Sequence, residues 1–245
     1  MIDLNADIGE GYPFDLALIP LISSANISCG AHAGSVADIQ QAIAACYQQR
    51  VAIGAHPSYP DRDNFGRLVM PMSLSALTDS LNMQLDWFAQ QVKAVGAQVH
   101  HVKTHGALYH ESADNAEVAS IVARLTKAHF PDAALVTVPQ SLQADIAAAL
   151  GLSVKQEAFA DRAYLANARL VPRKDAGALL EVPDAIQQVL SLVQQQGLYC
   201  QDGRWLSLSA DTICLHGDSA EALQLAKQLH IALQSAGIVL KKWRV

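Results

Sequence analysis

Val51-Ala52-Ile53-Gly54-Ala55-His56-Pro57-Ser58-Tyr59-Pro60-Asp61 holds in one stretch the pattern that organises the chain. It opens as a short run of small and branched apolar side chains, the signature of a strand covered on both faces. It then turns into a histidine and a loop rich in proline, serine and aspartate, which cannot continue a strand. Beyond the loop the period changes. Leu74, Leu77, Leu81, Leu85, Phe88, Val92 and Val95 recur by threes and fours and make one apolar stripe of a helix over 74–95. Ser73 suits its N-cap and Gly96 its left-handed end.

The same alternation runs outward in both directions. Buried strands are expected at 2–6, 25–29, 51–55, 99–104, 134–138, 154–159 and 212–216. Helices are expected between them, at 36–49, 116–128, 142–150, 185–196 and 220–236. Ser35 with Asp38 forms a loose capping box at the first of these. Strand and helix in this order mean parallel strands joined by right-handed crossovers. Periodicity leaves two architectures open, a doubly wound sheet and a closed barrel. The Asp202-Gly203 pair between 198–200 and 205–208 adds a small hairpin excursion.

With 245 residues and 51% hydrophobic side chains the chain can bury one large core. A single α/β domain over 1–245 fits, since such barrels run to about 250 residues. The net charge of −6 disfavours nucleic acid or an anionic membrane surface as partner. The N-terminus lacks a basic segment followed by an apolar run, and no stretch reaches the roughly 18 apolar residues of a membrane span. A cytoplasmic protein is expected. Cys29, Cys46, Cys200 and Cys214 show no C-x-x-C spacing, so neither a zinc ribbon nor a disulfide framework is expected.

In parallel α/β folds the chemistry lies just past the C-terminal ends of the strands. Those positions carry Asn5, Asp7 and Glu10, then Asn26 and His32, then His56, then Lys103 and His105, then Glu157, Asp161 and Arg162, and last His216 and Asp218. Any one of them could merely cap a helix or satisfy a loop backbone. Ionisable groups at the ends of so many apolar strands instead imply loops that converge on an active site. Within it, a carboxylate can activate water and His or Lys can protonate a leaving nitrogen. Lys103 with Arg162 or Arg173 can hold a substrate carboxylate. Asp7, His32 and His56 could bind a divalent metal, though nothing in the spacing requires one. Cys29 near His32 is better read as a buried strand-end thiol than as a nucleophile. G-x-G-x-x-G, phosphate-loop and G-x-S-x-G motifs are all missing, which disfavours nucleotide binding by those devices and a serine elbow.

Asp3-Leu4-Asn5-Ala6-Asp7-Ile8-Gly9-Glu10-Gly11 resembles the opening signature of the LamB/YcsF family, and the likeness continues in order along the chain. Its further blocks are Ser24 to Gly34, Ile53 to Asp61, Phe65-Gly66-Arg67, His101 to Tyr109, Glu157 to Tyr164, Val171-Pro172-Arg173 and Cys214 to Asp218. The resemblance implies a seven-stranded (β/α) barrel, TIM-like and of the glycoside hydrolase/deacetylase type. It implies the A component of an ATP-dependent 5-oxoprolinase, a hydrolase that opens 5-oxo-L-proline to L-glutamate with ADP and phosphate, working with 5-oxoprolinase subunits B and C. ATP, with Mg, would be the co-substrate. Catalytic roles are expected for Asp7, Glu10, His32, His56, Lys103 and His105. Asn5, Asn26, Glu157, Asp161, Arg162, Arg173, His216 and Asp218 are expected to bind substrate. Ser35, Thr104 and Leu68 depart from the usual Asp, Pro and Arg of the family pattern, and Leu68 removes a cation beside the mouth.

Two rivals accompany this reading. One is a metal-dependent hydrolase of an amide or acetylated sugar. The other is a non-catalytic protein that positions substrate without converting it.

Overall fold

The computed structural model describes residues 1–215 and 220–241. The chain runs β1 (Asp3–Ile8), α1 (Asp15–Leu18) with a 3-10 turn (Ile19–Leu21), β2 (Ser24–Ser28), α2 (Val36–Gln49), β3 (Ala52–His56), α3 (Leu74–Ala94) and β4 (His101–Val102). It continues through α4 (Gly106–Asp114), α5 (Ala116–His129), β5 (Ala134–Thr137), α6 (Leu142–Ala149), β6 (Ser153–Phe159) and α7 (Val182–Gln195). β7 (Gly197–Tyr199), β8 (Trp205–Ser207), β9 (Thr212–Leu215) and α8 (Ala220–Ser235) complete it.

The strands settle the choice that periodicity left open. They form a closed barrel in the order β1-β2-β3-β4-β5-β6-β9, with β9 pairing back onto β1 in parallel. The Asp-Gly hairpin is present as the antiparallel β7–β8 pair. The fourth strand is shorter than the expected 99–104, but main-chain bonds from His100 to Ile53 (2.8 Å) and Lys103 to Ala55 (3.0 Å) continue its line on both sides. Helix α4 was not expected: GALYHESAD begins on a glycine directly after a strand-end loop and has only a weak apolar face.

The barrel wall sorts side chains by the period of two. Leu4, Ala6, Ile8, Ala25, Ile27, Ile53 and Ala55 join one buried core with Ile39 and Ile43 of α2 and Leu81, Leu85 and Phe88 of α3. Each such Leu, Ile or Phe contributes about 1.5–3 kcal/mol by leaving water. The intervening residues fill the lumen, and many are polar. At the bottom, Asp3 accepts from Ser23, Ser24 and Thr212 at 2.5–2.8 Å. One layer up, Asn5 donates to Glu157 (2.9 Å), Asn26 donates to Asn5 (2.7 Å), and His101 lies 2.8 Å from the Asn26 amide oxygen. Gly54 faces His101 across β3–β4; a Cβ there would sit 2.1 Å from its Nε2. The polar stack carries hydrogen bonding from the barrel bottom to its open end.

Candidate active site

The top layer is charged. Lys103 Nζ, wholly buried, lies 3.1 Å from Asp7 Oδ1 and 3.1 Å from Glu157 Oε1, and 3.0 Å from the Cys214 sulfur. Burial opposes its charge, but the pull of Asp7, the Cys214 sulfur and Glu157 outweighs this and raises the Lys103 pKa well above the ordinary value. Lys103 is therefore a fixed cation. Asn26 donates to Asp7 Oδ1 at 2.9 Å, which ties the top layer to the one below.

Beside this group stand three histidines and Glu10. Their ligand atoms all lie within 4.8 Å of one another. His32 and His105 stack with centroids 3.8 Å apart, and His56 meets both edge-on. Each ring is held from behind. His56 Nδ1 donates to the Lys103 carbonyl (2.7 Å), and His105 Nε2 donates to the Phe65 carbonyl (2.9 Å). His32 Nδ1 lies 2.9 Å from Ser58 Oγ, whose own proton goes to the Tyr59 carbonyl, so the imidazole is the donor there. Burial first, then the neighbouring imidazoles, push His32 well below its ordinary pKa. Burial and then His56 bring His105 to about 3. Both rings are neutral at physiological pH.

The supports explain why these loops fold as they do. Gln84 of α3 accepts the Ser58 N–H (3.0 Å) and donates to the Ser58 carbonyl (2.8 Å). The carboxylate of Asp15 in α1 accepts the N–H groups of Glu10 (3.0 Å) and Gly11 (3.2 Å) and fixes the loop bearing Glu10. Gly106 has a φ of +56° and lies so close to the Gly66 carbonyl that a Cβ would come within 2.4 Å of its oxygen. That close approach lets the Phe65 carbonyl reach His105.

A cavity of about 380 Å³ opens against these groups. Asp7, His56, Lys103 and His105 line one side. Tyr109, Phe159, Leu170 and Pro172 supply apolar wall, and Arg67, Arg162 and Arg173 add cations. Arg162 is itself held by the carbonyls of Ala178 (3.3 Å) and Val171 (2.7 Å). Four cations and a carboxylate on an apolar pocket suit a small anionic molecule with a polarisable bond.

Comparison with known proteins shows the family and the fold. The LamB/YcsF family model matches residues 2–245. This chain belongs to the LamB/YcsF family. The crystal structure of a lactam utilization protein from Thermus thermophilus is similar to it at 35% identity and a TM-score of 0.91, with 99% of each chain covered. The LamB/YcsF chain also shares its fold with two remoter structures. A family 4 carbohydrate esterase from Streptomyces lividans in complex with acetate matches at 11% identity and TM-score 0.53, covering 98% of this chain and 90% of that one. The catalytic domain of a peptidoglycan N-acetylglucosamine deacetylase from Eubacterium rectale matches at 14% and 0.53, covering 100% and 88%. The seven-stranded barrel expected from the resemblance is thus the fold observed.

The structure brings together Asp7, Glu10, His32, His56, Lys103 and His105 at one end of the barrel. Arg162 and Arg173 line the cavity. Asn5, Asn26 and Glu157 do not: all three are buried in the barrel interior, positioning the groups above them. Asp161 is also outside the cavity lining, and its carbonyl accepts the Leu180 N–H at 2.9 Å. His216 and Asp218 lie outside the described residues. The group able to hold a metal differs in membership from Asp7, His32 and His56: Glu10 and His105 join the two histidines, while Asp7 pairs with Lys103. Cys29 is buried with its thiol pKa pushed far up by desolvation, which removes it as a nucleophile. Sequence reasoning passed over Arg67, Tyr109, Phe159 and Ser58 as site residues. Each lies inside a quoted motif, and only the folded loops show which way it faces.

No helix among the described residues is long and apolar enough to cross a membrane.

Proposed function

We propose that this chain is the lactam-binding and ring-opening subunit of an ATP-dependent 5-oxoprolinase, a hydrolase acting on a cyclic amide. The observation that carries the reading is Lys103, fixed as a cation 3.1 Å from Asp7 at the wall of a small, cation-lined pocket. Its relative at 35% identity is described as a lactam utilization protein, and the pocket's chemistry matches such a substrate.

5-Oxo-L-proline carries a carboxylate and a five-membered lactam. Arg67 and Arg173 receive the carboxylate, since guanidinium pairs with it in bidentate fashion. Tyr109, Phe159 and Leu170 cover the ring methylenes. The lactam carbonyl then faces Lys103, whose charge stabilises the oxygen as negative charge builds on it. Asp7 orients water for attack on the carbonyl carbon. The carbon–nitrogen bond breaks, and the nitrogen takes a proton as it becomes the amine of glutamate.

A lactam is a stabilised amide, so ring opening needs activation. Transfer of a phosphoryl group from Mg-bound ATP to the lactam oxygen would release ADP and make the ring carbon electrophilic. Water attack and carbon–nitrogen cleavage then leave an acyl phosphate, which a second water splits into the carboxylate of glutamate and free phosphate. The chain carries no phosphate loop, so this reading assigns phosphoryl transfer to partner subunits B and C. It also places the complex in the cytoplasm, where ATP is available.

Equilibrium dialysis tests the binding half. The chain, alone or with its partners, is expected to retain 5-oxo-L-proline and to discriminate against pyrrolidine, which lacks both carbonyl and carboxylate. Retention of an N-acetylated sugar in place of 5-oxo-L-proline would overturn the reading.

A further inference from the structure

Glu10, His32, His56 and His105 have a property that acid–base chemistry does not require. All three imidazoles are anchored through the nitrogen that points away from the group. His56 Nδ1 and His105 Nε2 donate to main-chain carbonyls, and His32 Nδ1 donates to a serine whose proton is already committed. A neutral imidazole has one N–H. The outward nitrogens take up that N–H, so the inward nitrogens, His32 Nε2, His56 Nε2 and His105 Nδ1, are the ones this anchoring leaves to act as ligand atoms.

They point at one another and at a carboxylate. His56 Nε2 and His105 Nδ1 are 3.0 Å apart. His32 Nε2 lies 3.0 Å and His105 Nδ1 3.4 Å from Glu10 Oε1. Three imidazole nitrogens and a carboxylate oxygen thus converge on one point, all within 4.8 Å of one another, as ligands around a single ion do. Zinc bonds of about 2.0–2.1 Å place tetrahedral ligand atoms about 3.3 Å apart. The close separations here already match that spacing. Fixing each ring's tautomer through its far nitrogen is what the outer shell of a metal site does.

We propose that Glu10, His32, His56 and His105 form a divalent transition-metal site, with zinc the best-fitting ion. Three imidazoles and one carboxylate suit zinc or cobalt far better than magnesium or calcium, which take oxygen ligands. Asp7 Oδ2 comes within 3.4 Å of His56 Nε2, but Asp7 is outside the ligand set, because its Oδ1 is held by Lys103 and Asn26. The site is separate from the Mg–ATP of the lactam reading and does not depend on that reading.

The test uses the full-length chain, stripped with a chelator and dialysed. Zinc is titrated in competition with a chromophoric chelator, and cobalt is titrated while its visible absorption is followed. One zinc per chain and a strong cobalt band of low coordination number are expected. Ser58→Ala, which frees the His32 ring, is expected to weaken zinc by about 10–100-fold. Glu10→Gln and His105→Ala are expected to weaken it further, and Asp7→Asn to keep the one-to-one stoichiometry. Circular dichroism checks that each variant folds. Wild-type protein that takes up no zinc, or that binds it no better than a folded His32→Ala/His105→Ala double variant, would overturn the proposal. So would loss of the metal in Asp7→Asn with retention in Glu10→Gln. The wild-type titration alone decides the matter if the variants do not fold.

Discussion

Lys103 Nζ stands 3.1 Å from Asp7 Oδ1: the lysine is buried and the aspartate, nearly so, reaches the inner wall of the pocket. A buried cation of this kind is stable only while its carboxylates remain, and the reverse is equally true. Lys103→Met leaves Asp7 and Glu157 facing each other's charge without compensation. It is expected to cost about 3–5 kcal/mol of stability. Where the variant still folds, turnover should fall by about 10²–10³, the effect of losing one preorganised group at a developing oxyanion. Denaturant unfolding and single-turnover kinetics measure the two effects separately.

The arginines at the cavity should behave differently. Arg67→Ala and Arg173→Ala each remove a contact made to the carboxylate throughout the reaction. KM for 5-oxo-L-proline is expected to rise by about 10–100-fold, the worth of a charge-assisted hydrogen bond, with kcat changed far less. A fall in kcat at unchanged KM would move these residues from holding the substrate to stabilising its transition state.

Gly54 lies within a strand, where glycine is otherwise unfavourable. Its reason is His101, whose Nε2 would be 2.1 Å from an added Cβ. That imidazole is paired with Asn26 and cannot move without disturbing the lumen. Gly54→Ala is expected to destabilise the protein by about 1–3 kcal/mol through overpacking. Thermal unfolding checks this. An unchanged melting temperature would show that the polar stack is looser than its hydrogen bonds imply.

His101 also sets a pH dependence. Burial, then the charges of His100 and Lys103, bring its pKa down to about 3. The unfolded chain titrates near 6.5. Between these values the unfolded state binds the extra proton, so stability is lost as pH falls from about 6.5 towards 3. Unfolding free energies measured across this range should decline on the acid side. A flat profile between pH 6.5 and 4 would contradict a neutral His101 in the barrel.

How far the sequence leads is visible in single elements. The run 51–55 announced β3 because both faces of a parallel strand are dry, and the stripe from Leu74 to Val92 announced α3. Closure into a barrel was not legible, because Thr212–Leu215 reads alike whether its partner is an edge or Asp3–Ile8. Helix α4 was hidden by its weak periodicity and its opening glycine. Within the site, residue types were legible and their directions were not. Asp7 and Glu10 are carboxylates three residues apart, yet strand pleat sends one to Lys103 and the loop held by Asp15 sends the other to His32. Asn5, Asn26 and Glu157 were visible as polar residues near strand ends, but only the fold shows them buried inside the barrel and outside the pocket lining.

The central claim is that this barrel opens a lactam at Lys103 and Asp7. Its most direct test is glutamate formation from 5-oxo-L-proline, Mg and ATP. The chain and its candidate partner subunits are assayed separately and together. Glutamate and ADP are expected only from the complete mixture, and glutamate formation should collapse when the barrel carries Asp7→Asn. A complete, folded and associated mixture that makes no glutamate, or one that makes it undiminished with Asp7→Asn, would contradict the account.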